Sequence, residues 1–361
     1  MGRVRWSTSW LVVALVAAAC GRRLPALPGC LPSGGITPVC GLQNPEDLAA
    51  LPGGQWLLAS QFRREGDPPG SLVAVPQTGG APVRVYPPPP DAVLPLSGVP
   101  GCPEPPDPAR FAPHGFDLIV DGPPPWVLLV VNHGGREAIE VFGVMPTEAA
   151  PAVTWHGCVK LPPGMAGNDV AGLPEGGFVV TQNALPKSRL GLAWSAIEVA
   201  FGKTTGGAIE WHRDGGWRPV PGTEVAVANG VAVSSDGARL FVDAWGSDEL
   251  VRVERQGDPA RRTVTLPVHP DNLTWTPDGR LLLAGQKGSL RDLLKCADAA
   301  NGNCTAPFAV VAVDPESLAT MVVLEHDGSG LGGASVALRT GDALVLGTFS
   351  GDRLGVVRPA P

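Results

Sequence analysis

The sequence is short of charge. Only 17% of its 361 residues are Asp, Glu, Lys or Arg, against 44% that are hydrophobic. That balance rules out a disordered chain. It has no basic excess either. The formal net charge is −7 and no lysine run occurs, which excludes a non-specific nucleic-acid binder with its basic face. No heptad pattern runs through it, and its glycines lack the three-residue period of collagen. The apolar run Trp10 to Ala19 is too short to cross a bilayer as a stable helix. No cysteines stand at zinc-site spacing near histidines, and no Gly-x-Ser-x-Gly elbow is present. Neither zinc nor a serine nucleophile is therefore indicated. What the chain has in excess is turn formers, with 48 Gly and 40 Pro. These are the two worst helix formers, so a helical bundle is excluded. A turn-rich, strand-rich globular protein remains, long enough to bury a sizeable core.

The N-terminus reads as an export signal. Arg3 and Arg5 precede the apolar run, which ends in Ala17-Ala18-Ala19-Cys20. This is the pattern of a signal peptide over residues 1–19, with cleavage before a cysteine that takes a lipid. Ala17 stands where bacterial lipoprotein signals usually carry Leu. Residues 20–39 are then a Pro/Gly-rich tether and residues 40–361 the folded unit. Gly21 is not the aspartate that would signal inner-membrane retention. The expectation is an exported protein at the outer membrane or periplasmic face, held by Cys20, or otherwise secreted. Six cysteines remain, an even set that suggests disulfides outside the cytoplasm. Cys296 and Cys304 look like a stapled loop, and Cys30 with Cys40 is a second candidate. Cys102 with Cys158 follows by elimination alone, and the connectivity stays open.

A repeat lies in the turns. Six Gly-containing turns each precede an apolar run, with glycines at 54, 122, 176, 237, 279 and 341. They recur at intervals of roughly 57 residues, the spacing of β-propeller blades with four strands each. The expected fold is all-β, a six-bladed β-propeller around a central calcium-binding tunnel. One blade illustrates the cut: Gly230–Ser235, Arg239–Ala244, Glu249–Arg255 and Arg262–Leu266 serve as its four strands. Eight residues before the first five turns stand Glu46, His114, Asn168, Asn229 and Asp271; the sixth blade has Gly333, with Ser335 nearby. One point on five innermost strands faces one spot on the axis. Asn and Asp are common turn formers, but five polar residues at one offset form a site.

The convergent set is rich in oxygen: Glu46, Asn168, Asn229, Asp271 and Asn272. Mixed carboxylates and amides suit Ca²⁺, which takes 6–8 oxygen ligands. Asp47 and Asp169 follow Glu46 and Asn168, and strand alternation turns them toward a deeper second site that plugs the tunnel. His114 and His133 bracket one hairpin and read as a relay beside the metal, one taking a proton from water and the other orienting it. His156, His212, His269 and His326 read as loop or surface residues.

These residues resemble the serum paraoxonase/arylesterase family, a branch of the gluconolactonase-like propellers. The matching stretches run in the family's order from Asn44-Pro45-Glu46-Asp47-Leu48 to Gly333-Ala334-Ser335-Val336-Ala337. Between them are Pro113-His114-Gly115, Leu128 to His133, Asn168-Asp169-Val170, Leu190-Gly191-Leu192-Ala193-Trp194, Ala228-Asn229-Gly230-Val231 and Asp271-Asn272-Leu273. Together they cover about 300 residues, in the repeat order expected of such arrays. The resemblance implies two calcium ions in the tunnel. The catalytic ion would be held by Glu46, Asn168, Asn229, Asp271 and Asn272. The structural ion would take Asp47, Asp169 and the backbone carbonyl of Phe116. His114 and His133 match the family's histidine dyad.

The chain departs from the family in three places. It ends without the cysteine of the family's closing disulfide. Where the family often has an acid near the dyad, it runs Thr181-Gln182-Asn183. A long proline-rich segment, Tyr86 to Pro113, leads into His114 and is expected on the rim of the site. The functional expectation is a calcium-dependent hydrolase of lactones and aryl esters, with organophosphate triesters as side substrates and no nucleic-acid partner. The rivals are a binding propeller with purely structural calcium and a gluconolactonase-type sugar lactonase.

Overall fold

A computed structural model gives the fold. It describes residues 27, 29–88, 102–183, 203–255, 260–289, 292–293, 296 and 304–358. The signal over 1–19, Cys20, the 190–194 stretch and part of the proline-rich segment lie outside the described residues.

The chain is a six-bladed β-propeller. Its first strand, β1 (Thr37–Cys40), is set aside for the end of the ring. Blade 1 is β2 (Pro45–Ala50), β3 (Trp56–Gln61), β4 (Ser71–Pro76) and β5 (Val83–Tyr86). Blade 2 is β6 (Pro113–Ile119), β7 (Trp126–Asn132), β8 (Ala138–Met145) and β9 (Ala152–Lys160). Blade 3 is β10 (Gly167–Gly172), β11 (Phe178–Asn183), β12 (Gly206–His212) and β13 (Gly216–Pro219). Blade 4 is β14 (Ala228–Val233), β15 (Arg239–Ala244), β16 (Glu249–Glu254) and β17 (Arg261–Thr265), within two residues of the cut expected from sequence. Blade 5 is β18 (His269–Trp275), β19 (Leu281–Gln286), β20 (Phe308–Val313) and β21 (Thr320–His326). Blade 6 takes β22 (Ala334–Thr340), β23 (Ala343–Thr348) and β24 (Arg353–Val357), then β1 as its outermost strand. All six turn glycines have positive φ, from +57° at Gly341 to +93° at Gly176, where any other residue would be strained.

The ring is closed by pairing rather than by a terminal disulfide. Thr37 lies opposite Val356 and Cys40 opposite Arg353. Thr37–Val39, expected in the tether, are therefore part of the propeller, and the folded unit begins before residue 40. Cys30 bonds to Cys40, bracing this strand locally; Cys102 bonds to Cys158 and Cys296 to Cys304.

Among the described residues one hydrophobic cluster lies between each pair of neighbouring blades, and a smaller one surrounds Cys296 and Cys304. Leu58, Leu72 and Tyr86 of blade 1 pack on Leu128, Phe142 and Trp155 of blade 2. Leu48, Leu57 and Val73 close the circle against Val336, Val345 and Leu354 of blade 6. Both faces of each blade are covered, so inner strands such as β14, β19 and β23 are buried along their length. That is why their sequences run apolar without alternation. Each fully buried Leu or Phe contributes about 1.5–3 kcal/mol. The outer strands β5, β13, β17 and β21 are largely exposed or half-buried and carry the polar residues.

Candidate active site

Every innermost strand carries a β-bulge at the same height. In five blades two residues face one on the second strand: Glu46-Asp47, His114-Gly115, Asn168-Asp169, Asn229-Gly230 and Asp271-Asn272. Blade 6 has a smaller irregularity at Ser335. A bulge interrupts the alternation of side chains and re-aims them. The residues at the constant offset from the turns are thus the first residues of these bulges. The second bulge residue is Gly in blades 2 and 4, where the next blade leaves no room. A Cβ on Gly115 would lie 2.4 Å from Asp169 Oδ1, and one on Gly230 would lie 2.3 Å from the Asp271 carbonyl oxygen.

The bulges bring the oxygen-bearing residues together in the tunnel. Asn272 Nδ2 of blade 5 donates to Glu46 Oε1 of blade 1 at 2.6 Å, across the blade 6 strand β22. Ser335 fills the sixth position by donating to the Glu46 backbone carbonyl at 2.6 Å. Gln286 Nε2 donates to Asp271 Oδ2 at 2.5 Å. Against these satisfied atoms stand four buried oxygens without a hydrogen-bond partner: Glu46 Oε2, Asn168 Oδ1, Asn229 Oδ1 and Asn272 Oδ1. An orphaned buried acceptor costs about 1–3 kcal/mol. Four of them on four blades are what a hard cation with oxygen ligands would satisfy. The acids alone do not suffice: among the described residues no three His, Cys, Asp or Glu side chains form a metal cage by themselves. The donor set fits calcium only because the amides complete it.

Charge repulsion agrees with that fit. Burial pushes Glu46 well above the usual carboxylate range, and Asp271, Asp47 and Asp169 add to the rise. Burial also pushes Asp271 up to about 7. The groups that oppose these shifts are amides, with no Lys or Arg among them.

Asp47 and Asp169 form a separate layer. They line a cavity of about 440 Å³ at the other end of the tunnel, together with Phe116 and Asp117. Each stitches two blades through backbone N–H donors. Asp47 accepts from Leu48 and from Phe116, both at 2.8 Å; Asp169 accepts from Val170 and from Val231, both at 2.8 Å. Burial raises Asp47 to about 7 and raises Asp169 as well. Asp117, not singled out from sequence, extends the pattern by accepting from Gly172 of blade 3 at 2.8 Å.

His114 and His133 meet. His114 Nδ1 lies 3.1 Å from His133 Nε2, and the two rings are tilted by 60°. Beyond them lies a third member that sequence reasoning missed: Glu137 Oε2 sits 2.7 Å from His133 Nδ1. Thr181-Gln182-Asn183 holds no acid, and the carboxylate comes from the dyad's own hairpin instead. Glu137 as a carboxylate only accepts, so the proton on His133 is at Nδ1. His133 Nε2 must then accept from His114 Nδ1–H. The bare lone pair of His114 is left on Nε2, 3.8 Å from Glu46 Oε1. Burial, then the neighbouring His133, hold His114 well below its ordinary pKa, so the ring is neutral at neutral pH. Phe62 stacks on His114 with centroids 4.5 Å apart.

The hairpin that presents this array is braced from below. Buried Glu140 accepts from Arg136 Nε and Nη2, from Asn132 Nδ2 and from Trp155 Nε1, at 2.8–3.0 Å. The segment before His114 also contacts the dyad, because the Ala112 carbonyl accepts the His133 N–H at 3.1 Å. The other histidines are on strands rather than loops. His156 lies within β9, His212 ends β12, His269 begins β18 and His326 ends β21. His326 is buried and bonded to the Gly34 carbonyl.

The sequence matches the family model for arylesterases over residues 101–354. The chain belongs to the arylesterase family. This arylesterase-family chain matches no curated protein. Its fold is similar to that of a gluconolactonase from Xanthomonas campestris, with 15% identity, a TM-score of 0.52, and 94% of this chain and 99% of that one covered. It is also similar to the calcium-binding protein regucalcin from Agrobacterium tumefaciens, at 12% identity, TM-score 0.50 and coverage of 90% and 93%. A luciferin-regenerating enzyme shares it at 13% identity, TM-score 0.53 and coverage of 88% and 92%. At these identities the likeness is one of fold. The family makes this arylesterase-family chain an esterase-type propeller acting on small molecules.

Proposed function

We propose that this arylesterase-family chain is a calcium-dependent hydrolase of lactones and aryl esters. The observation that carries this reading is the array Glu137–His133–His114, which ends with a bare imidazole nitrogen against a cluster of unpartnered oxygens. Glu46, Asn168, Asn229, Asp271 and Asn272 would hold one ion, and Asp47, Asp169 and the Phe116 carbonyl a second. When bound, the first ion supplies the positive charge that polarises the ester carbonyl. The residues of the chain do the proton work. His114 Nε2 takes a proton from water as the oxygen bonds to the carbonyl carbon. His133 and Glu137 spread the charge of the resulting imidazolium. When the carbon–oxygen bond of the ester breaks, His114 returns the proton to the leaving oxygen. In a lactone the same step opens the ring.

Initial rates on phenyl acetate, a long-chain lactone and gluconolactone, each with calcium and with EDTA, test the assignment. Calcium-dependent turnover of the first two, exceeding that of gluconolactone, is the expected result. Preference for gluconolactone would favour a sugar lactonase, and no turnover of any would favour a binding propeller.

We also place the protein outside the cytoplasm, anchored through Cys20. Three disulfides among the described residues support an oxidising compartment. Cys20→Ser should move the protein from the membrane fraction to the soluble fraction of a Gram-negative host. An unchanged distribution would remove the anchor.

A further inference from the structure

Gln286 is a buried amide at the end of β19 that neither the turn offset nor the family resemblance selects. Its side chain ties three blades together. Gln286 Oε1 accepts from the indole Nε1 of Trp245, the residue after β15 of blade 4, at 2.8 Å. Gln286 Nε2 donates to Asp271 Oδ2 of its own blade at 2.5 Å and to the Ala334 carbonyl of blade 6 at 3.0 Å. An indole nitrogen only donates, so the amide has one orientation, with its oxygen toward Trp245. Both Nε2 hydrogens are then used, one of them on Asp271. Gln61 ends β3 in the same way, but its amide turns outward to Ser71 on the third strand of blade 1. Gln286 turns inward, to the first strand of blade 5.

Trp245 is itself held in place. Its ring stacks on His269, with centroids 4.8 Å apart and planes at 28°. It also packs, with Phe349, on the cluster around the Cys296–Cys304 disulfide. His269 in turn has Nδ1 2.5 Å from Asp248 Oδ1 and Nε2 3.1 Å from the Gly288 carbonyl. The chain Trp245–Gln286–Asp271 therefore runs from a packed aromatic donor to a carboxylate of the candidate cation site.

We infer that Gln286, oriented by Trp245, is a positioning residue that sets the Asp271 carboxylate for Ca²⁺. This rests on the calcium reading above. A carboxylate free to turn about its last bond must be ordered when the ion binds. Pinning Oδ2 on a fixed amide removes that freedom beforehand. Partners of this kind behind ligating groups are typically worth about 10–100-fold in metal affinity.

Calcium titration by calorimetry on wild-type protein, Trp245→Phe, Gln286→Met and the double variant provides the test, with thermal melts in EDTA beside it. Phe keeps an aromatic ring on His269 and loses the N–H; Met keeps the length of Gln and loses the amide. Gln286→Met should weaken one calcium site about 10–100-fold, and Trp245→Phe should weaken the same site by a smaller factor. Because Trp245 acts through Gln286, the double variant should bind no more weakly than Gln286→Met alone. At saturating calcium, kcat on phenyl acetate should return to the wild-type value in every variant. Trp245→Phe that lowered the midpoint in EDTA but bound calcium as wild type does would mark a structural role and overturn the inference. So would a double variant weakened by the product of the single effects. Both results leave the calcium reading intact, whereas a wild-type protein that binds no calcium would overturn both. If Gln286→Met does not fold, Trp245→Phe decides: weaker calcium binding with an unchanged midpoint in EDTA supports the inference, and wild-type affinity overturns it. Failure of Trp245→Phe to fold would also overturn it.

Discussion

Removing calcium is expected to abolish esterase activity and to lower the thermal midpoint by roughly 10 °C. The size follows from linkage. A ligand at 100–1,000 times its dissociation constant stabilises the folded state by about 3–4 kcal/mol, and each kcal/mol shifts the midpoint of a domain near this size by about 2–4 °C. The molecular cause is a set of acids facing one another in a buried tunnel. Asp47 and Asp271 are pushed up to about 7 from 3.8, mainly by burial, and Glu46 and Asp169 rise with them. The folded chain therefore holds protons that the unfolded chain has released. The stability lent by each raised carboxylate is complete below its unfolded value and is lost as pH rises through about 7. Chelated protein should thus lose stability between pH 5 and pH 8. Calcium competes with those protons, so its stabilising effect should be larger at pH 8 than at pH 5.5. Thermal melts at the two pH values, each with calcium and with EDTA, measure the difference. An equal or larger effect at acid pH would argue against cation binding by these carboxylates.

His114→Gln should lower kcat by about 10²–10⁴-fold while calcium affinity stays near the wild-type value. Gln keeps polar atoms where the ring was but supplies no base. The ring touches the oxygen cluster only through a 3.8 Å approach to Glu46, so the cation site keeps its donors. Glu137→Gln separates positioning from chemistry. The amide can still accept from His133 Nδ1, but the negative charge behind the imidazolium is gone. The expected loss is roughly tenfold in kcat, with KM unchanged and the acid limb of the pH–rate profile shifted to lower pH. Glu137→Ala should be worse, because nothing then fixes the tautomer of His133. A His114→Gln protein, loaded with calcium, that turned over every substrate at the wild-type rate would take the dyad out of the mechanism. Equal rates in Glu137→Gln, Glu137→Ala and wild type would take the third member out.

Much of the scaffold was legible in sequence because blade turns obey local chemistry. A hairpin that needs positive φ selects Gly, so six glycines marked six blades. The offset from those glycines worked because each innermost strand has nearly the same length from turn to bulge. The bulges themselves left no signature. Strand alternation set Asp47 and Asp169 apart from Glu46 and Asn168, but the physical device at these positions is an irregularity rather than a regular pleat. The N-terminal boundary was misplaced for a different reason. Thr37–Val39 look like tether and become strand only when β24, more than 300 residues away in sequence, offers its edge.

The sequence by itself determined an all-β chain of six repeats, which polar residues stand at one height, and the oxygen-rich chemistry they share. These follow from composition, turn residues and spacing, which act within a few residues. Only the tertiary structure decided that Glu137 backs His133 and that the strand at one end of the chain completes the blade at the other. The strand pairing depends on contact between segments more than 300 residues apart, whereas Glu137 reaches His133 across four residues only in the conformation their hairpin adopts.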